Sequence, residues 1–266
     1  MDGVVTLTRE DLVDAAPADF WVACRDNGWQ KSTAGLCRSF VQANLVVLPK
    51  SDAFDFLRFC QRNPKPCPVM EVLDPGDPQP RATAPGADIR TDLGRYSVYR
   101  NGRLDVEVDD INHLWTGEMT AFLLGCSFSF EYPLRKAGLP VRHVEQGTEV
   151  PVFRTNRECA PAGPFAGHLV VSMRAMPGEL VAKAVEITAA HPEVHGAPVH
   201  VGAPEQLGIG DIARPDWGEP VQFCEGDVPM FWACGVTAQQ VALESAPPLM
   251  ITHSGDCMFM TNIPLE

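Results

Sequence analysis

The word GCSFSFE, Gly125 to Glu131, holds the densest run of chemically useful side chains in the chain. A helix starting there presents unpaired N–H groups and a positive dipole end, so Cys126, Ser127 and Ser129 can cradle a carboxylate or an oxyanion. The same spacing also allows a plainer reading, in which Ser127 or Ser129 caps the helix and Glu131 complements its dipole. Asp88, Arg90 and Asp92 in GADIRTD offer either a base beside a carboxylate clamp or a solvated loop salt bridge. Arg154, Thr155 and Asn156 in VFRTN, and Arg174 in SMRAM, lie in otherwise apolar strands. Desolvation there obliges each guanidinium to find an acidic side chain or an anionic ligand. His253 in ITHSGD is a candidate acid or base. FWACGVT passes from strand through Gly235 into a helix start, the place where open α/β sheets bind ligands. Cys234 there is either a nucleophile or a packed thiol. No metal site is read from His191, His195 and His200, because Pro192, Gly196 and Pro198 break any helix that would align them.

These residues need a scaffold. Thr8 with Glu10 and Asp11 predicts a capped helix start, and a second helix is expected over 19–25. The apolar run LVVL, stopped by Pro49, predicts a strand buried on both faces. A helix capped by Ser51 or Asp52 and ended by Asn63-Pro64 follows, then a second buried strand over 69–73. This order predicts a parallel βαβ unit. Asn101-Gly102 between two strand-like runs predicts a type I′ hairpin. Helices are expected over 119–124 and 127–137, the latter closed by Gly138. Strand, strand, helix, strand are expected from 150 to 202, then a strand over 228–234, a helix capped by Thr237, and a closing pair of strands around Ser254-Gly255-Asp256. The expected class is α/β: a main domain formed by 1–145 with 216–266, and a smaller α+β insert over 146–215.

The 266 residues carry a net charge of -13, which opposes a nucleic-acid backbone or an anionic membrane surface. MDGVVTLTREDL has neither a cationic start nor an apolar core of a leader, so a cytoplasmic location is expected. The nine cysteines include no C-x-x-C pair, so they read as reduced thiols, with no metal and no cofactor expected.

QANLVVLP, FCQRNPKPCP, GADIRTD, GCSFSFE, AGPF, VVSMR, HGAPVHVG, FWACGVT and ITH occur in this order over 33–261. Through them the chain resembles the hydro-lyase family related to D-glutamate cyclase. The resemblance implies a three-layer α/β domain joined to a smaller two-layer α+β domain, and a carbon–oxygen lyase acting on a small carboxylate or amino acid. Where that family typically ends in Pro-Gly-His-Met and a later Asp, this chain has Gly255-Asp256-Cys257-Met258 and then Asn262. The leading expectation is cyclisation of D-glutamate to 5-oxo-D-proline and water. Asp88 or Glu131 would be the base or acid, Arg90 or Arg154 would hold a carboxylate, and Ser127 and Ser129 would serve the oxyanion. A dehydratase of another hydroxy or amino acid, and a carboxylate-binding module without turnover, are the alternatives. Both leave a homo-oligomer open.

Overall fold

The computed structural model describes residues 7–265; the first six residues, on which part of the leader reading rests, lie outside them. In chain order the elements are α1 (Arg9–Val13), α2 (Pro17–Asn27), β1 (Phe40–Pro49), α3 (Lys50–Arg62), β2 (Val69–Val72), β3 (Tyr96–Arg100), β4 (Arg103–Val108), β5 (Met119–Gly125), α4 (Phe128–Lys136) and α5 (Arg142–Gln146). They continue as β6 (Val152–Glu158), β7 (His168–Pro177), α6 (Val181–Ala189), β8 (His200–Val201), β9 (Asp227–Ala233), α7 (Val236–Ser245), β10 (Met250–His253) and β11 (Phe259–Pro264).

One sheet has the order β2-β5-β1-β10-β3-β4, with β11 also on β1, and the other has the order β6-β7-β9-β8. Every ladder is antiparallel. The chain is thus mixed α/β, with apolar side chains on both faces of the larger sheet. Leu45 and Val47 point to one core with Phe20 and Trp21 of α2, while Val46 and Leu48 point to another with Phe56 and Phe59 of α3. That alternation follows from the period of two along β1, whose interior positions are all buried.

The capped start at Thr8 is present as a full capping box, and Asn101 and Gly102 have the positive φ angles, 48° and 77°, of the expected hairpin turn. Several expectations differ. Residues 119–124 form strand β5 rather than a helix; a fully buried apolar run has no period, and its length suits a central strand. β1 and β2 run the same way but β5 lies between them, antiparallel to both, so no parallel ladder forms. β2 is a half-exposed edge strand, because no strand among the described residues pairs with its outer side. α3 starts at Lys50, before Ser51 and Asp52, and α7 is preceded by Gly235 rather than capped by Thr237. Buried Thr237 instead accepts from the Val170 N–H at 3.1 Å, tying α7 to β7. β9 belongs to the second sheet although it lies past residue 215, since an apolar strand suits either sheet and its sequence does not name its neighbour.

β10 and β11 do not pair with each other. Both lie along the same side of β1, with Thr252 opposite Val46 and Phe259 opposite Ala43. They are one interrupted strand, and the residues between them loop out. That loop carries Gly255 and Asp256.

Candidate active site

Two strand-to-helix junctions meet at one cavity of about 230 Å³. The first runs from β5 through Gly125 and Cys126 to α4. A Cβ on Gly125 would lie 1.8 Å from the Glu193 carbonyl oxygen, so only glycine lets the strand end pass this backbone. The Cys126 N–H donates to the Gln42 carbonyl at 3.0 Å, and Ser129 Oγ accepts from the Gln42 N–H at 2.9 Å. Ser129 therefore fastens the junction to β1. Ser127 makes no side-chain cap bond and lines the cavity.

The second junction runs from β9 through Cys234 and Gly235 to α7. A Cβ on Gly235 would fall 2.1 Å from the Asn44 amide, which occupies that space. Asn44 Nδ2 donates to the Leu124 and Gly125 carbonyls at 3.3 and 2.7 Å, bracing one junction against the other. Cys126 and Cys234 both line the cavity. Burial pushes both thiols up, so they stay protonated at neutral pH and are poor nucleophiles.

Behind Ser127 stands a buried ionic cluster. Arg174 is 1% exposed, and its guanidinium lies 5.0 Å from the Phe130 ring centroid and 5.8 Å from that of Trp232. It donates through Nε and Nη2 to Glu131 Oε1 at 3.2 and 2.5 Å, through Nη1 to Ser172 Oγ, and through Nη2 to Ser127 Oγ at 3.1 Å. His143 Nε2 approaches the same carboxylate oxygen at 3.3 Å, although the angle does not make a hydrogen bond. Burial alone would raise the Glu131 carboxyl, but His143 and Arg174 outweigh it and hold it at about 2. Glu131 is thus a fixed anion that pins Arg174. Because Ser127 Oγ accepts from Arg174, its own proton is free to be donated elsewhere.

The mouth of the cavity is acidic. Glu149 and Asp256 line it, and neither forms a salt bridge among the described residues. Burial, then Asp256, then Glu219 raise the Glu149 carboxyl. A groove of about 410 Å³, lined by Arg9, His143 and Glu219 among others, shares Phe128, Glu149, Val150 and Asp256 with the cavity.

Of the residues singled out in sequence, Cys126, Ser127, Cys234 and the Gly235 junction come together here, with Glu131, Ser129 and Arg174 directly behind them. His253 is one residue removed. It is fully buried, its Nδ1 accepts from the Leu45 N–H at 3.3 Å, and Gln239 of the cavity wall donates to its carbonyl at 3.0 Å. Burial lowers its imidazole to about 4, so it is neutral.

Asp88 and Arg90 are not among the lining residues. They pair with each other at 2.6 Å in a loop held to α2 by the Arg25–Asp92 contact at 2.8 Å. Arg154 pairs with Asp216 at 2.9 Å, and its guanidinium lies 5.7 Å from the ring centroid of Trp217, a residue of the cavity lining. Thr155 donates to the Leu169 carbonyl at 2.7 Å, and Asn156 packs against Gly208. Among the described residues, no group of three or more His, Cys, Asp or Glu side chains could hold a metal ion, and His195 and His200 bond to separate carbonyls. No helix among them is long and apolar enough to cross a membrane.

Glu149, Asp256, Asn44, Gln239 and Trp217 were not anticipated. Asn44 had a signal: a polar residue inside the buried run QANLVVL must have a partner.

An α/β chain whose strand ends and helix starts enclose a small, mostly apolar cavity with a few polar groups has the architecture of a small-molecule enzyme. Residues 120–262 match the family model described as D-glutamate cyclase. A protein of Stutzerimonas stutzeri named "Putative hydro-lyase" is 55% identical over 94% of this chain and 94% of its own length. One of the same name from Rubrobacter xylanophilus is 59% identical over 86% of this chain and 89% of its own. A solved nitrogen repressor-like protein from Methanococcus jannaschii aligns with 81% of this chain and 86% of its own at 11% identity and a TM-score of 0.38, too loosely to inform the fold. The chain belongs to the D-glutamate cyclase family of hydro-lyase-like proteins.

Proposed function

We propose that the protein is a carbon–oxygen lyase that closes D-glutamate to 5-oxo-D-proline with loss of water. The observation that carries this reading is the Arg174-anchored Ser127 hydroxyl, set at a helix start on the wall of a cavity sized for a small metabolite. Lactam formation needs donors for the reacting carboxylate and for the oxyanion of the tetrahedral intermediate. Ser127 Oγ and the N–H groups at the starts of α4 and α7 supply them. Arg174 fixes the Ser127 oxygen, and Glu131 fixes Arg174, so the donor is held in place before substrate arrives. Arg90 and Arg154, already paired outside the cavity, have no direct part. The cytoplasm, where small amino acids are abundant, is the location that goes with this reading.

The test is mass spectrometry of the protein incubated with D-glutamate, L-glutamate and each 5-oxoproline enantiomer, against protein-free controls. Enantioselective conversion above control is expected, and Ser127→Ala should cut it by at least about 100-fold in a folded protein. No conversion of any of the four compounds would overturn the reading.

A further inference from the structure

The cavity has more to accept a proton than to give one. Asn44 is 2% exposed and Gln239 is 7% exposed, and both line it. The Asn44 amide orientation is set by two backbone carbonyls, those of Leu124 and Gly125, which its Nδ2 faces, while Gln239 Nε2 faces the His253 carbonyl at 3.0 Å and the His253 ring Nε2 at 3.3 Å. Asn44 Oδ1 and Gln239 Oε1 are the remaining ends, and neither accepts a hydrogen bond from the described residues. Both oxygens keep free acceptor capacity that a donor in the cavity can take up. A ligand carboxylate would be repelled by them, whereas an N–H group would satisfy them.

Glu149 and Asp256 add two carboxylates at the mouth of the same cavity. Glu149 is the exposed member, and its backbone N–H donates to Glu219 Oε2 at 3.1 Å, which fixes the chain beneath it. With Glu131 already committed to Arg174, Glu149 and Asp256 are the lining carboxylates able to take up a proton.

We infer that Asn44 Oδ1 and Gln239 Oε1 form a subsite for the substrate's amino group and that Glu149, seconded by Asp256, is the base that removes its proton. The inference rests on the cyclisation reading for its second half only. The proton balance is complete. Glu149 carboxylate takes one proton from the ammonium and passes it to the side-chain carboxylate of the substrate, which becomes a carboxylic acid. The freed amine lone pair attacks that carbon, the C–N bond forms, and a second N–H proton goes to the departing hydroxyl as the C–O bond breaks. One water leaves, and Glu149 is again ionised.

Calorimetric titration of D-glutamate and of glutarate, its counterpart without the amino group, tests the subsite on the wild-type chain. D-glutamate should bind at least about tenfold tighter, a difference of about 1.4 kcal/mol. Gln239→Met should erase that preference while leaving glutarate binding near its wild-type level. Equal binding of the two ligands, or no binding of either, overturns the subsite. Glu149→Gln should keep the preference for D-glutamate yet lower turnover by at least about 100-fold. Normal turnover in that variant overturns the base while the cyclisation reading stands. Amine-dependent binding with no turnover by the wild type does the reverse, sinking cyclisation and the base together and upholding the subsite.

Discussion

Glu131 and Glu149 are the same side chain on opposite sides of one cavity wall, and they have opposite fates. Glu131 is buried, meets Arg174 and His143, and is held ionised at about 2. Glu149 is exposed at the mouth, meets Asp256 and Glu219, and is raised. In the first case opposite charges overcome desolvation; in the second, like charges add to it. A carboxylate inside GCSFSFE looked like the better catalyst in sequence, yet the partners that make it conspicuous also take its reactivity away.

The contrast can be broken most severely from the Arg174 side. Arg174→Met would leave Glu131 buried without its main partner, and urea unfolding should show a loss of about 3–5 kcal/mol. Glu149→Gln should change stability by less than about 0.5 kcal/mol in the same assay. If the two variants were equally stable, the assignment of one carboxylate to structure and the other to chemistry would fail. Next in size, Gly235→Ala would force a methyl into the space of the Asn44 amide. A cost of about 1–3 kcal/mol and a distorted cavity should follow, read as a lower melting temperature and weaker D-glutamate binding.

Acid should act in two stages. His195 and His253 sit at about 4 in the folded chain, below their ordinary 6.5, so the unfolded chain binds more protons between those values. Their contribution is full above 6.5 and fades as pH falls towards 4. Glu131, at about 2 against an ordinary 4.5, contributes above 4.5 and loses that contribution as pH falls through about 2. Chemical unfolding from pH 8 to 3 should therefore show stability declining from about 6.5 downward. His253→Gln should shallow the upper stage alone. The smallest effect belongs to the loop: Arg90→Ala should cost about 0–1 kcal/mol and leave turnover within about twofold. A large loss of turnover would put GADIRTD back in the site.

Where local chemistry decides structure, the sequence was legible. The Thr8 capping box, the Asn101-Gly102 turn, the β1 run and the α4 helix with Gly138 after it could all be read because a cap, a positive φ or a period of two leaves a mark within a few residues. β5 was not legible, because seven consecutive buried positions carry no period. Sheet membership was not legible either, since β9 reads the same whichever sheet it joins. The half of the site formed by GCSFSFE and FWACGVT could be found because strand-to-glycine-to-helix is a local pattern. The other half could not. Glu149 precedes an unremarkable strand, Trp217 lies in a loop fastened to β6 by the Val152–Trp217 bridge, and Asp256 enters through an interruption in a strand.

That interruption separates two jobs that a continuous strand would have to do together. The pairs on either side, Val46 with Thr252 and Ala43 with Phe259, set the alignment of β1 with its neighbours whatever occupies the span between them. Asp256, half-buried between buried Ser254 and Cys257, can therefore exchange its side chain, charge included, without shifting a ladder. The chain can revise what its cavity admits while its foldability stays the same, and Asp256 stands where such revision would be read first.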